Sequence, residues 1–215
     1  MTLNSELRST VDAVKSALPA PIFAAIGQSV ADLEATGITN RAAKAGTRIA
    51  LPTLADFAGG RVDLAALAEH GPLVLVFYRG GWCPYCNVTL KAFERRLDDI
   101  RAAGAAIVAI TPELPENAQE TAEKSGLEFP VLIDTGNAFA RSLGLVFDLP
   151  QHLVPLYRQI GIDLADWNGD ASNALPIPAT YIVDASGVLR WSHVEADFTQ
   201  RAEPADVLAV LTKIA

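Results

Sequence analysis

Three histidines and two cysteines are all the soft metal ligands that 215 residues supply. A structural zinc site takes about four ligands, and His70, His152 and His193 show no ligand spacing relative to Cys83 and Cys86. Neither a metal nor a bound cofactor is expected. Two cysteines also cannot build the disulfide framework of a small secreted domain, so if they pair, they pair with each other. Positive charge is scarce as well: 17 Lys and Arg stand against 25 Asp and Glu, for a net charge of −8. Without any Lys/Arg run, that balance disfavours nucleic acid and anionic membrane as partners. No stretch approaches the roughly 18–20 apolar residues of a membrane-spanning helix. Residues 1–18 carry charged or polar side chains every few positions, with no apolar block of signal-peptide length. A cytoplasmic protein is expected.

With 50% hydrophobic residues, the chain can bury one sizeable core and still carry an extension. Leu3, Leu7, Val11, Val14 and Leu18 recur at helical spacing, and Ile22, Ile26, Val30 and Leu33 repeat the pattern beyond Pro19 and Pro21. Residues 1–45 therefore read as a helical N-terminal extension, packed on the main domain or on a second copy in a homodimer. From residue 46 to 215 strands and helices alternate. LVLVFY, residues 73–78, is an apolar run with β-branched and aromatic members, the mark of a strand buried on both faces. Residues 105–110 and 130–134 form further strands. Leu90, Phe93, Leu97 and Ile100 share one face of a helix that Gly104 stops. Helices are expected over 116–125 and 137–143, and an irregular insertion with one short helix over 148–176. A hairpin of 179–184 and 188–194 and a helix over 204–214 complete the chain. This order describes an α/β, thioredoxin-like three-layer sandwich with a central mixed β-sheet.

Both cysteines lie in FYRGGWCPYCN, residues 77–87, where the first buried strand turns into a helix. Unpaired N–H groups and the macrodipole favour a thiolate at a helix start. Cys83 is expected at the solvent-reachable tip of that turn, with Cys86 about one helical turn deeper. Pro84 suits the first helical turn, where its missing N–H leaves no bond unmade. A thiolate attacks a disulfide sulfur to give a mixed disulfide, or a peroxide oxygen to give a sulfenic acid, and a second thiol resolves either product. Trp82 either shields the pair or forms a core edge. Arg79 either lowers a thiol pKa by proximity or is a solvated turn residue. Gly80 and Gly81 let the chain turn sharply. Packing is the role expected of Trp191 and His193, and capping or turning that of Asp134 and Asp184. Glu113 and Glu116 follow a strand end that could border the site.

FYRGGWCPYCN, IVAITPELPE, SGLEFPVLID and LPIPATYIVDASGVLRWSHVEADFTQRAEPADVL occur in this order across residues 47–211. On these segments the chain resembles the CxxC-containing, peroxiredoxin-like bacterial branch of the AhpC/TSA family, on a thioredoxin fold. The resemblance implies a thiol-dependent oxidoreductase that reduces hydroperoxides through a Cys83–Cys86 redox centre, recharged by a thioredoxin- or glutathione-type donor. Its alternatives are a reductase of protein or small-molecule disulfides and a redox-responsive binding module. Set on the family pattern, Cys86 takes the peroxide-attacking position, Cys83 that of a Thr or Ser, and Arg79 that of a proline. The family's activating arginine falls on Pro178. In thioredoxin relatives a cis-proline faces the CxxC, and Pro178 before Ala179-Thr180-Tyr181 resembles it. By thioredoxin logic Cys83 attacks first; by peroxiredoxin alignment Cys86 does.

Overall fold

The computed structural model describes residues 2–214. Its strands are β1 (Thr53–Asp56), β2 (Arg61–Asp63), β3 (Leu73–Phe77), β4 (Ala106–Thr111), β5 (Val131–Ile133), β6 (Val146–Asp148), β7 (Ala174–Pro176), β8 (Ala179–Val183) and β9 (Leu189–Val194). Its helices are α1 (Leu3–Ala17), α2 (Ala20–Ala35), α3 (Ile38–Arg41), α4 (Leu64–Ala68), α5 (Pro84–Glu94), α6 (Leu97–Ala102), α7 (Pro115–Ser125), α8 (Ala138–Ser142), α9 (Val154–Gln159), α10 (Leu164–Asn168) and α11 (Pro204–Ile214). None of the described helices is long and apolar enough to cross a membrane.

Seven strands form one mixed sheet in the order β2-β1-β5-β4-β3-β8-β9. β3 sits inside it, parallel to β4 and antiparallel to β8. Successive side chains of a strand point to opposite faces, and β3 divides accordingly. Val74 and Val76 join the core beneath α5 and α11, while Leu73, Leu75 and Phe77 join the core beneath α4 and α8. Both faces being covered, an unbroken apolar run is what this strand requires. The three-layer α/β sandwich is thus present.

Three local departures from the sequence reading have simple causes. The expected helix ending at Gly104 breaks at Arg96, which leaves helical dihedrals at φ −116°, ψ 13°, so that α5 and α6 are separate. Leu90, Phe93, Leu97 and Ile100 are all buried in one core regardless, so the apolar stripe runs across the break without marking it. Residues 61–63 add β2, a short strand paired with β1. The insertion carries two helices, α9 and α10, and is bounded by β6 and β7, paired as a small sheet of their own. Leu149, Leu153, Tyr157, Leu164 and Leu175 give it a separate core.

The N-terminal helices lie on the body of the molecule. Leu3 and Leu7 of α1 are buried in the core that holds α5, and the Glu203 carboxylate accepts the N–H groups of Leu3 and Asn4 at 3.1 and 2.7 Å. Those donors have no partner within the helix, so Glu203 serves as a cap supplied from a distant segment. Ala25 and Ile26 of α2 pack on the insertion's core. Ile38 of α3 and Ala42 just after it are buried too, and the Ala43 N–H donates to the Leu143 carbonyl at 2.9 Å.

Candidate active site

One end of the sheet gathers the chemistry. β3 and β4 end there, β8 begins there opposite Phe77, and β9 ends there opposite Ala179. Ligands in open α/β sheets sit outside the carboxyl ends of parallel strands. The segments leaving this edge carry Arg79 to Cys83, Glu113, Pro178, and Phe198 to Arg201. α5 starts here with Cys83 as its N-cap and Pro84 in its first turn. The turn before it admits only glycine at two places. A Cβ on Gly80, whose φ is +151°, would lie 2.3 Å from Trp82 Nε1, and one on Gly81 would lie 2.0 Å from Thr121 Oγ1. Gly81 is fixed at both polar atoms: its N–H donates to Glu113 Oε1 at 2.8 Å, and its carbonyl accepts from Asn87 Nδ2 at 2.8 Å.

Both cysteines are free thiols. The solvent-reachable position expected for Cys83 is not observed: each cysteine is only 1% exposed. The cover comes from elsewhere in the chain, with α1 packed on α5 and with Trp82 set edge-on to Tyr157 of the insertion, ring centroids 5.9 Å apart. Arg79 is not a solvated turn residue either, being 4% exposed. Its guanidinium carbon lies 4.6 Å from the Trp82 ring centroid and 4.3 Å from that of Phe198, and its Nε has no hydrogen-bond partner. Arg201 is buried on the other side, with Nη2 3.6 Å from Cys86 Sγ. Among the described residues neither arginine forms an ion pair with a carboxylate.

Three spaces adjoin these groups. A cavity of about 550 Å³ between α1, α2 and the turn is floored by Arg79, Trp82 and Cys83. A second, of about 350 Å³, lies across Arg79, Tyr157 and Phe198 and is bordered by Pro178. A void of about 10 Å³ is lined by Cys86, Pro178, His193 and Arg201. Pro178 thus stands near the cysteine pair, but the cis-proline resemblance fails: no described peptide bond is cis. The Ile177 N–H before it donates to the Leu145 carbonyl at 2.8 Å.

The AhpC/TSA family model matches residues 42–192, well over half of the chain. This chain belongs to the AhpC/TSA family. It is 28% identical over 138 residues to the chloroplastic peroxiredoxin Q of Sedum lineare, a match covering 64% of this chain and 62% of that protein. It is 30% identical over 95 residues to the thiol-disulfide oxidoreductase ResA of Halalkalibacterium halodurans, covering 44% of this chain and 53% of that one. The chain therefore spans about half to three fifths of the length of the curated relatives it matches. Among solved structures, peroxidoxin BcpB of Mycobacterium tuberculosis gives a TM-score of 0.63 at 20% identity, over 80% of this chain and 99% of that one. Peroxiredoxin Q of Xanthomonas campestris gives 0.59 at 20% identity, over 77% and 96%. At that identity the likeness establishes the fold, which is thioredoxin-like. The family match begins after α1 and α2.

Within this AhpC/TSA chain the two thiols are driven apart electrically. Burial alone would raise the Cys83 thiol, but a hydrogen bond from the Cys86 thiol, the charges of Arg79 and Arg201 and the Cys86 N–H together hold it well below its usual value. Cys86 moves the other way: burial, its role as donor to Cys83 and the Cys83 charge raise it well above the usual range. Both directions favour the thiolate at Cys83 over Cys86. Arg79 is lowered by burial yet raised overall, chiefly by the Cys83 charge. Burial likewise lifts Glu113, against the opposing bonds from Gly81, Tyr78 and Thr111.

Several of these neighbours escape sequence reasoning. Arg201 lies 115 residues from Cys86 and nothing local marks it. Tyr157 and Phe198 look like ordinary core residues, and His193, paired across strands with Thr180, reaches the Cys86 void through sheet register alone. Glu113 carried one cue, an acid directly after a buried strand.

Proposed function

We propose that this chain is a thiol peroxidase in which Cys83 attacks the hydroperoxide and Cys86 resolves the product. The carrying observation is geometric: Cys83 caps α5 and is the cysteine that borders the cavity of about 550 Å³, with Arg79 beside it, while Cys86 lies deeper against Arg201. The Cys83 thiolate attacks the terminal oxygen of ROOH, forming an S–O bond as the O–O bond breaks. The departing alkoxide takes a proton from water and leaves as ROH, with Cys83 now a sulfenic acid. Cys86 sulfur then displaces that oxygen, which departs as water with the Cys86 proton, and a Cys83–Cys86 disulfide remains. Two electrons and two protons from a thioredoxin- or glutathione-type thiol donor restore the pair. Arg79 and Arg201 act by favouring the thiolate and the charge that moves onto oxygen; Trp82 and Pro84 hold the turn.

The 1% exposure of each cysteine favours a small oxidant over a protein disulfide. The same limit favours a small thiol as donor. The stretch shared with ResA supports disulfide exchange as a second use of the same pair.

The test is chemical trapping. Cys86→Ser, oxidised with one equivalent of hydrogen peroxide in the presence of dimedone, is expected to carry the sulfenate adduct on Cys83, located by mass spectrometry. Peroxide consumption no faster than that of free cysteine would remove the peroxidase reading. An adduct on Cys86 of Cys83→Ser, with the rate retained, would reverse the order of attack.

A further inference from the structure

His193 Nε2 and Arg201 Nη1 are both shut away from solvent, and neither has a hydrogen-bond partner among the described residues. Both residues line the void of about 10 Å³ beside Cys86. Buried polar atoms left unpaired are costly and rare, so two of them at one void point to a partner that the chain does not supply. A volume of this size is about the least that holds a water, which needs roughly two to four polar partners. Cys86 Sγ makes the third, 3.6 Å from Arg201 Nη2. The imidazole is held in place by the sheet. His193 stands opposite Thr180 of β8, on the face that carries Trp191 and Ile182 into the α5 core. Its ring stacks on that of Trp191, with centroids 6.2 Å apart and planes 22° from parallel. His193 is half-buried, so the ring runs from the void to the surface. Burial lowers the imidazole below its usual value and the Arg201 charge lowers it further, against Glu195 beside it and Asp206 of α11. The other titratable residues lining the void are Tyr78, after β3, and Cys86 of α5. Burial raises both well above their usual values. Those directions favour a neutral imidazole beside a protonated Cys86.

We propose that His193, through one water held in this void by Arg201, accepts the Cys86 proton when the disulfide closes. The order of attack, Cys83 before Cys86, rests on the peroxidase reading above; the relay itself needs no peroxide. As Cys86 Sγ attacks Cys83 Sγ, its proton passes to the water and the water passes one to His193 Nε2. The S–S bond forms, the S–O bond of the sulfenic acid breaks, and hydroxide leaves. Hydroxide takes a proton from solvent while the imidazolium returns one from its outer edge. Counted over the step, the oxygen departs as water and the Cys86 proton balances it. Arg201 steadies the negative charge that the attacking sulfur gains on losing its proton.

Closure needs only a leaving group on Cys83, so methyl methanethiosulfonate serves as the probe on the reduced full-length protein. One equivalent places a methylthio group on Cys83 and expels methanesulfinate. Cys86 then displaces methanethiolate, which takes a proton from solvent. Acid quenching and intact mass follow the loss of the adduct, a first-order rate independent of reagent concentration. In the wild type this rate is expected to level off once His193 is neutral and to stay flat from about pH 6.5 to 8. In His193→Phe it is expected to fall at least ~10-fold near neutrality and to climb about tenfold per pH unit, because closure then waits for free Cys86 thiolate. His193→Gln, which can bond the water but cannot take its proton, is expected to behave as His193→Phe. A plateau restored by Gln would make His193 a mere holder of the water and overturns the proposal. A wild-type rate that climbs tenfold per unit through neutrality overturns it too, and that measurement needs no variant to fold. Closure unslowed in both variants, with peroxide still consumed, overturns the relay and spares the peroxidase. The expected profiles without peroxide consumption uphold the relay and overturn the peroxidase.

Discussion

A buried arginine without a carboxylate partner is solvated by whatever else surrounds it, and around Arg79 that includes two aromatic faces, the Tyr157 hydroxyl and the cysteine sulfurs. Arg79→Met removes one of the charges that hold Cys83 low, so the thiol should rise. Each unit of rise costs a tenfold loss of thiolate on the acid side. On the acid side of its titration the alkylation rate of Cys83 should fall at least ~10-fold and recover as pH is raised. An unchanged pH–rate profile would remove Arg79 from the site. The same shift has a stability consequence of definite sign. Because the folded pKa of Cys83 lies below the unfolded one, the thiolate stabilises the reduced protein fully above the unfolded value of about 8.5, and that contribution is lost as pH falls through the folded pKa. Denaturant unfolding of wild type minus Cys83→Ser across pH measures it. Redox poise follows as well: closing the disulfide removes the Cys83 charge that Arg79 and Arg201 favour. Stabilising the reduced form makes a dithiol pair oxidising, as at the DsbA end of the known range, about −120 mV, rather than the thioredoxin end, about −270 mV. Equilibration with glutathione buffers should place this pair above about −200 mV; a value at the thioredoxin end would show that the arginines are compensated otherwise.

At the scale of elements, what periodicity encodes was legible and what distance encodes was not. The apolar stripes of α1 and α2, the doubly buried β3 and the start of α5 at Pro84 follow from neighbours within a few residues. The break at Arg96 left the stripe intact and so left no trace, and β6 and β7, three residues each, fall below the length at which alternation can be read. The site divides the same way. Arg79, Trp82, Cys83, Pro84 and Cys86 occupy one short segment, while Arg201 and the covering residues arrive through sheet topology and the insertion. Cys83 looked reachable because its cover is written in residues 1–35 and 148–176. The docking of α1 should therefore rest on few groups. Leu7, 2% exposed, is one; Leu7→Ala should cost about 2–5 kcal/mol. Glu203→Ala, leaving two helix N–H groups without their acceptor, should cost about 1–3 kcal/mol. Hydrogen exchange should locate the loss in α1, with β3 protected as before; uniform acceleration would mean that α1 unfolds only with the whole molecule.

For the molecule as a whole, the helices that wall the cavity also restrict who can touch the sulfurs. A reagent that fits within the cavity needs only side-chain motion, whereas a bulky one waits for α1 and α2 to move from α5 and the insertion. Local openings of this kind have their own free energy, smaller than that of global unfolding. Two thiol reagents of different size should then obey different rate laws. Modification by methyl methanethiosulfonate should rise in proportion to its concentration. Modification by 5,5′-dithiobis(2-nitrobenzoic acid), which brings two nitrobenzoate rings, should level off at the opening rate. Leu7→Ala, by weakening the seat of α1, should raise that plateau and leave the slope for the small reagent nearly unchanged. The plateau is read by stopped flow from the released thionitrobenzoate, on Cys86→Ser so that a single thiol reports. Linear kinetics for the bulky reagent at every concentration would mean that Cys83 needs no opening.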